Sequence, residues 1–117
     1  MSKSHISILK EITEERESYF KDYIRFVSEI KKKAGILLKK EVRVIVFGST
    51  VKNLYHPFLS DIDVLVISDN LPENWEDRRS IRLKLKPSGS PFQIHLITNK
   101  EFETHYKNFI KKNYIEV

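Results

Sequence analysis

Between residues 6 and 34, apolar side chains recur every three or four positions: Ile8, Leu9, Ile12, Tyr19, Phe20, Tyr23, Ile24, Val27, Ile30 and Ala34. A period near 3.6 places them on one helical face and leaves the charges on the other. The pattern predicts one long helix over 6–34, with Gly35 as its stop. The period then changes. "EVRVIVF", 41–47, alternates and then saturates with β-branched residues, as a buried strand does, and "IDVLVI", 62–67, repeats the signature. Residues 73–85 carry two conflicting signals. Pro72, Asn70 as a cap and the acids Glu73, Glu76 and Asp77 suit a helix start, whereas "SIRLKLK" alternates like a strand. The helix is the expectation. "PSGSP" reads as a turn and "FQIHLIT", 92–98, as a third strand. Thr98 and Glu101 have capping-box spacing. Phe102, Tyr106, Phe109 and Ile110 then mark an amphipathic final helix.

This order predicts an α/β (α+β) fold: a small mixed sheet of three or more strands flanked by helices, behind a long N-terminal helix. At 117 residues the chain is expected to be one domain, with 1–40 a helical extension and 41–117 the core. Composition narrows the function classes. Apolar residues make up 40% and charged residues 32% of the chain, and no apolar run reaches the roughly 20 residues that span a bilayer. The sequence start is too charged for a signal peptide. With no cysteine there is no disulfide framework, thiolate metal site or thiol nucleophile, so a cytoplasmic location is the default. The net charge of +5 allows an anionic partner without requiring one. Its densest part, Lys31 to Arg43, reads first as a solvated helix end; as an RNA surface it lacks interleaved aromatic residues.

The candidate chemistry lies in "VIVFGSTVKNLYHPFLSDIDVLVIS", 44–68. Gly48-Ser49 follows a strand, where glycine permits a tight turn and the close approach of a phosphate. A helix starting there would aim backbone N–H groups at an anion. Asp61 and Asp63, two apart on an extended chain, project to one side of a strand start. Burying two such anions unpaired is costly, and a divalent cation with oxygen ligands resolves the repulsion.

Gly48-Ser49 with Ser60-Asp61-Ile62-Asp63 resembles the signature of the nucleotidyltransferase superfamily related to DNA polymerase beta, and in particular its minimal nucleotidyltransferases. The resemblance implies an NTP substrate, with ATP the first choice, bound with Mg²⁺ or Mn²⁺ for displacement at the α-phosphorus. It assigns Asp61 and Asp63 to metal, and Gly48 and Ser49 to the β/γ-phosphates. Ser60 falls in the same motif and orients the turn before Asp61. Lys52-Asn53 stands where many relatives carry Arg-Gly: lysine still neutralises phosphate, and asparagine tolerates the left-handed conformation. Active relatives add a third carboxylate on the next strand, where this chain has Gln93 and His95 on one face. Gln93, the third member of the metal set by position, keeps carboxylate shape without its charge, which weakens the second metal site. His95 is either a nitrogen ligand, better suited to manganese or zinc, or a proton acceptor. Both are equally read as half-exposed polar residues. The resemblance further implies a helical HEPN-type partner protein, with toxin–antitoxin pairing as precedent. The N-terminal helix is a candidate surface for that partner or for a homo-oligomer. The rival reading is a catalytically silent module that neutralises a partner by contact. His5 and His105 read as helix-surface positions, His56 as a loop residue more often at the surface than in the site, Trp75 as core or interface, and Tyr55 as a minor candidate for touching a base.

Overall fold

The computed structural model describes residues 4–110 and 113–117. The long N-terminal pattern folds as two helices, α1 (His5–Lys21) and α2 (Tyr23–Leu38), which meet at Asp22. There φ is −126° and ψ 34°, outside the helical region; aspartate favours such local geometry because its side chain competes for backbone groups. Gly35 does not stop the helix. α2 runs three residues further because Leu38 is needed in the core, where it is buried. Lys39 then takes the left-handed conformation, φ 54°. Its N–H donates to the Ile36 carbonyl (3.3 Å), and Lys40 N–H donates to the Gly35 carbonyl (3.2 Å), the paired bonds of a Schellman cap.

Only part of the apolar stripe is used for packing. Phe20, Val27, Ile30 and Ala34 are buried, whereas Ile8, Leu9, Ile12 and Ile24 stay exposed. The first half of α1 therefore stands away from the core, consistent with an elongated molecule of 51 × 30 × 22 Å.

The sheet has strands β1 (Arg43–Phe47), β2 (Ile62–Ile67), β3 (Phe92–Ile97) and β4 (Tyr114–Glu116), in the order β3-β2-β1-β4. β2 runs antiparallel to β1 and parallel to β3, and β1 pairs antiparallel with β4. The strand β4 was not expected from the sequence. Three exposed residues give no burial pattern, and its place rests on backbone pairing and on Glu116, whose carboxylate accepts from Arg43 Nε (3.1 Å) and Nη2 (2.9 Å).

The parallel β2–β3 pair requires a crossover, which α3 (Trp75–Leu85) provides. Here the helical signal prevails: Ile81 and Leu85, four apart, pack on the core while Leu83 faces out. The N-cap is Asn74, whose Oδ1 accepts from Glu76 N–H at 2.8 Å. Asn70 instead donates its side-chain amide to the Leu38 carbonyl, tying the start of the crossover to the end of α2.

Alternation along the strands separates two apolar layers. Val44, Val46, Val64, Val66, Phe92 and Ile94 pack toward α2 and α3, and Ile45, Phe47, Leu65 and Ile97 pack toward the last helical segment. That segment opens with the expected capping box, Thr98 with Glu101. It continues as α4 (Asn99–Glu101), a π-helical stretch (Phe102–Tyr106) and α5 (Lys107–Ile110). The wider π turn keeps Phe102, Tyr106 and Ile110 in line at intervals of four, all against the sheet. Phe109 is thereby rotated outward and is 73% exposed, against the expected amphipathic register. Among the described residues no helix is long and apolar enough to cross a membrane.

Candidate nucleotide site

β1 carries the chain to Gly48, whose φ of +89° is strained for any residue with a side chain. A Cβ there would lie 3.1 Å from Oδ2 of Asp63. A side chain here would therefore add, to the backbone strain, a crowding that the Asp63 carboxylate has to relieve by a few tenths of an ångström. No helix follows Ser49. The chain makes a compact turn, in which Lys52 N–H donates to the Gly48 carbonyl (3.4 Å) and Leu54 N–H to the Ser49 carbonyl (2.9 Å). Asn53 occupies the left-handed region at φ 57°, as its residue type allows.

The loop leading to Asp61 is held from within and from α1. His56 N–H donates to Ser60 Oγ (2.8 Å), while His56 Nδ1 accepts from Phe58 N–H (3.2 Å) and Leu59 N–H (3.3 Å). Ser60 and His56 therefore shape the loop. Tyr55 stacks on Phe20 with centroids 4.4 Å apart, so its ring is engaged with α1. Arg16 is the site-shaping residue that the motif did not reveal. Its Nε donates to the Pro57 carbonyl (2.9 Å) and its Nη2 to the Ser60 carbonyl (2.6 Å), and Nη2 lies 3.9 Å from Oδ1 of Asp61. Its distance in sequence from the loop hid it; the cue was a charged residue on the flank of an apolar helix.

Asp63 lies opposite Phe47 on one side and Gln93 on the other. Gln93 is exposed. His95, opposite Leu65, brings Nε2 to 3.6 Å from Oδ1 of Asp63. That nitrogen is buried and has no hydrogen-bond partner. A cleft of about 400 Å³ opens beside this pair, lined by Phe47, Gly48, Lys52, Asp63 and Phe109 among others. The structure thus gathers Gly48, Lys52, Asp63 and His95. Asp61 points into solvent at the strand start beside Arg16, Ser49 is half-buried in the turn, and Trp75 is exposed well outside this group, on α3.

Among the described residues no three or more His, Cys, Asp or Glu side chains cluster as a metal cage. Asp63 lines the cleft and Asp61 stands two residues away in solvent, so the pair would offer a hard divalent ion one or two carboxylates, a number magnesium commonly takes while filling its shell with water and phosphate oxygens. Nε2 of His95, buried and without a hydrogen-bond partner, lies beside Asp63.

Comparison with known proteins bears on the fold and the family. The sequence profile of the nucleotidyltransferase domain matches residues 24–117. A solved structure of a candidate nucleotidyltransferase is 32% identical, covering 81% of this chain and 97% of its own, with a TM-score of 0.58. Another, a candidate nucleotidyltransferase from Sulfolobus solfataricus, is 19% identical over 99% of this chain and 89% of its own, also with a TM-score of 0.58. No curated protein matches the chain significantly. With the Gly-Ser turn pressed against Asp63 in a β2–α3–β3 frame, and with the profile spanning most of its length, the chain belongs to the nucleotidyltransferase domain family.

Proposed function

We propose that the protein transfers a nucleoside monophosphate from an NTP, ATP by first choice, to a hydroxyl of an acceptor. The observation that carries this reading is that Gly48 and Asp63 line one cleft together with Lys52, so close that a Cβ on Gly48 would crowd the carboxylate. Gly48 and Ser49 present backbone N–H groups and a hydroxyl to the β- and γ-phosphates. Lys52 adds positive charge there. Asp61 and Asp63 would hold Mg²⁺ or Mn²⁺, which would supply positive charge against the phosphates. The acceptor oxygen forms a bond to the α-phosphorus, the α–β bridging bond breaks, and pyrophosphate leaves. The hydroxyl proton passes to Nε2 of His95, which is buried, unpartnered and beside Asp63. Gln93, next to Asp63 in register, would add its amide oxygen to the metal set. The acceptor is assigned to a partner protein of helical HEPN type, met in the cytoplasm. The exposed Ile8, Leu9 and Ile12 face of α1 supports a protein interface there, with that partner or a second copy.

A second reading is favoured by one observation: among the described residues no third acid joins Asp61 and Asp63. On that reading the chain binds a nucleotide and neutralises its partner by contact without transfer. Incubation with labelled ATP, Mg²⁺ or Mn²⁺ and the co-purified partner separates the two. Label on the partner, lost in Asp61→Asn and Asp63→Asn, is the expected result. Metal-dependent ATP binding without transfer selects the silent module, and ATP binding unchanged in the double variant overturns the site itself.

A further inference from the structure

The cleft beside Asp63 has one wall that phosphate chemistry does not use. Phe109 lines it together with Gly48, Lys52 and Asp63, and is 73% exposed. Its neighbours at the apolar positions of the same segment, Phe102 and Ile110, are buried. The π-helical stretch produces this difference by moving the heptad-like stripe off Phe109. A lone exposed apolar residue is ordinary in itself. What distinguishes this one is its setting: it meets Phe47 edge to face, centroids 6.3 Å and planes 81° apart, so the ring is braced rather than dangling. Phe47 is the last residue of β1, directly before Gly48. An aromatic surface thus stands on one wall of a cleft that Gly48, Lys52 and Asp63 also line, with the open backbone and charge suited to phosphates and a metal. About 400 Å³ lies within the range of small-ligand pockets.

We propose that Phe109 is the stacking platform for the nucleobase, a role that rests on the nucleotide-binding reading above. Every base offers a π-face, so stacking supplies affinity without choosing strongly among bases. On this assignment purines, with the larger face, bind more tightly than pyrimidines.

Calorimetric titration of the full chain with ATP and with inorganic tripolyphosphate, each with Mg²⁺, tests the assignment in wild type, Phe109→Ala, Phe109→Tyr and Asp63→Asn. Phe109→Ala is expected to weaken ATP about tenfold or more and leave tripolyphosphate unchanged. Phe109→Tyr keeps wild-type ATP affinity, and Asp63→Asn loses metal-dependent binding of both ligands. Equal ATP affinity in wild type and Phe109→Ala overturns the stacking role while leaving the phosphate site standing. Equal weakening of ATP and tripolyphosphate by Phe109→Ala overturns it as well, because the effect is then on the cleft and not on the base. If wild type binds neither ligand, both the platform and the nucleotide reading fall.

Discussion

Nε2 of His95 lies 3.6 Å from Oδ1 of Asp63, shielded from solvent and without a hydrogen-bond partner. Leaving a buried polar nitrogen unpaired costs about 1–3 kcal/mol, which packing against Phe47 and Tyr106 alone does not require of a histidine. If that atom receives the acceptor proton, His95→Ala lowers single-turnover transfer by about 10²–10⁴-fold while ATP affinity stays close to wild type. A transfer rate equal to wild type would reduce His95 to a packing residue between two rings.

Gly48 faces two separable penalties on gaining a side chain. Its φ of +89° is unfavourable for an L-residue, and the new Cβ would sit 3.1 Å from Oδ2 of Asp63. Gly48→Ala is therefore expected to cost about 1–2 kcal/mol of stability in urea denaturation, with loss of metal-dependent ATP binding as the carboxylate is displaced. In an Asp63→Ala background the same substitution should cost less, because only the backbone term remains. A double-mutant cycle with no coupling between the two positions would show that the carboxylate does not set the requirement for glycine.

The parts of this site that could be read from sequence are those governed by local rules. Alternation in "IDVLVI" and "FQIHLI" fixed both strands and put Gln93 and His95 on the Asp63 side of the sheet, and capping chemistry marked Thr98 and Glu101. Asn53 at φ 57° follows from residue type. What escaped was set by tertiary contact. Asp22 breaks a stripe that is periodic on either side of it, and Leu38 extends α2 past Gly35 because the core needs it. Arg16 meets its carbonyl partners only through the fold, and β4 has no burial pattern to announce it. Phe109 lies outside its expected register because a π-helical turn has no simple signature in apolar spacing.

Arg16 is predicted to be a positioning residue. Its guanidinium spans two carbonyls of the loop that delivers Asp61, at Pro57 and Ser60. Arg16→Ala should raise the proteolytic sensitivity of residues 54–60 and reduce transfer about tenfold or more, with tripolyphosphate affinity falling less than transfer. Arg16→Lys should not rescue, since a single ammonium cannot reproduce a fork that serves two acceptors. Full rescue by lysine would point to charge near Asp61, 3.9 Å away, as the relevant property.

The C-terminal strand supplies a pH-dependent test of how the cleft is closed. Glu116 is held below its ordinary value of 4.5, chiefly by the Arg43 hydrogen bond, with burial opposing. Because the folded-state value is depressed, the contribution of this pair is present above about pH 4.5 and is lost as pH falls through the lower folded value. Both side chains are nearly half exposed, so the effect on global stability is small and is best read locally. Tyr114 pairs with Phe47, and Asn113 lines the cleft, so release of β4 loosens the wall next to Gly48. Amide exchange at Ile115 and Val117, whose N–H groups face β1, should therefore lose protection on acidification below pH 4.5 in wild type. In Glu116→Gln that protection should already be weak at neutral pH and nearly flat with pH. Parallel pH profiles in the two proteins would mean that backbone pairing alone holds β4, and that the Arg43–Glu116 bridge contributes nothing to the shape of the site.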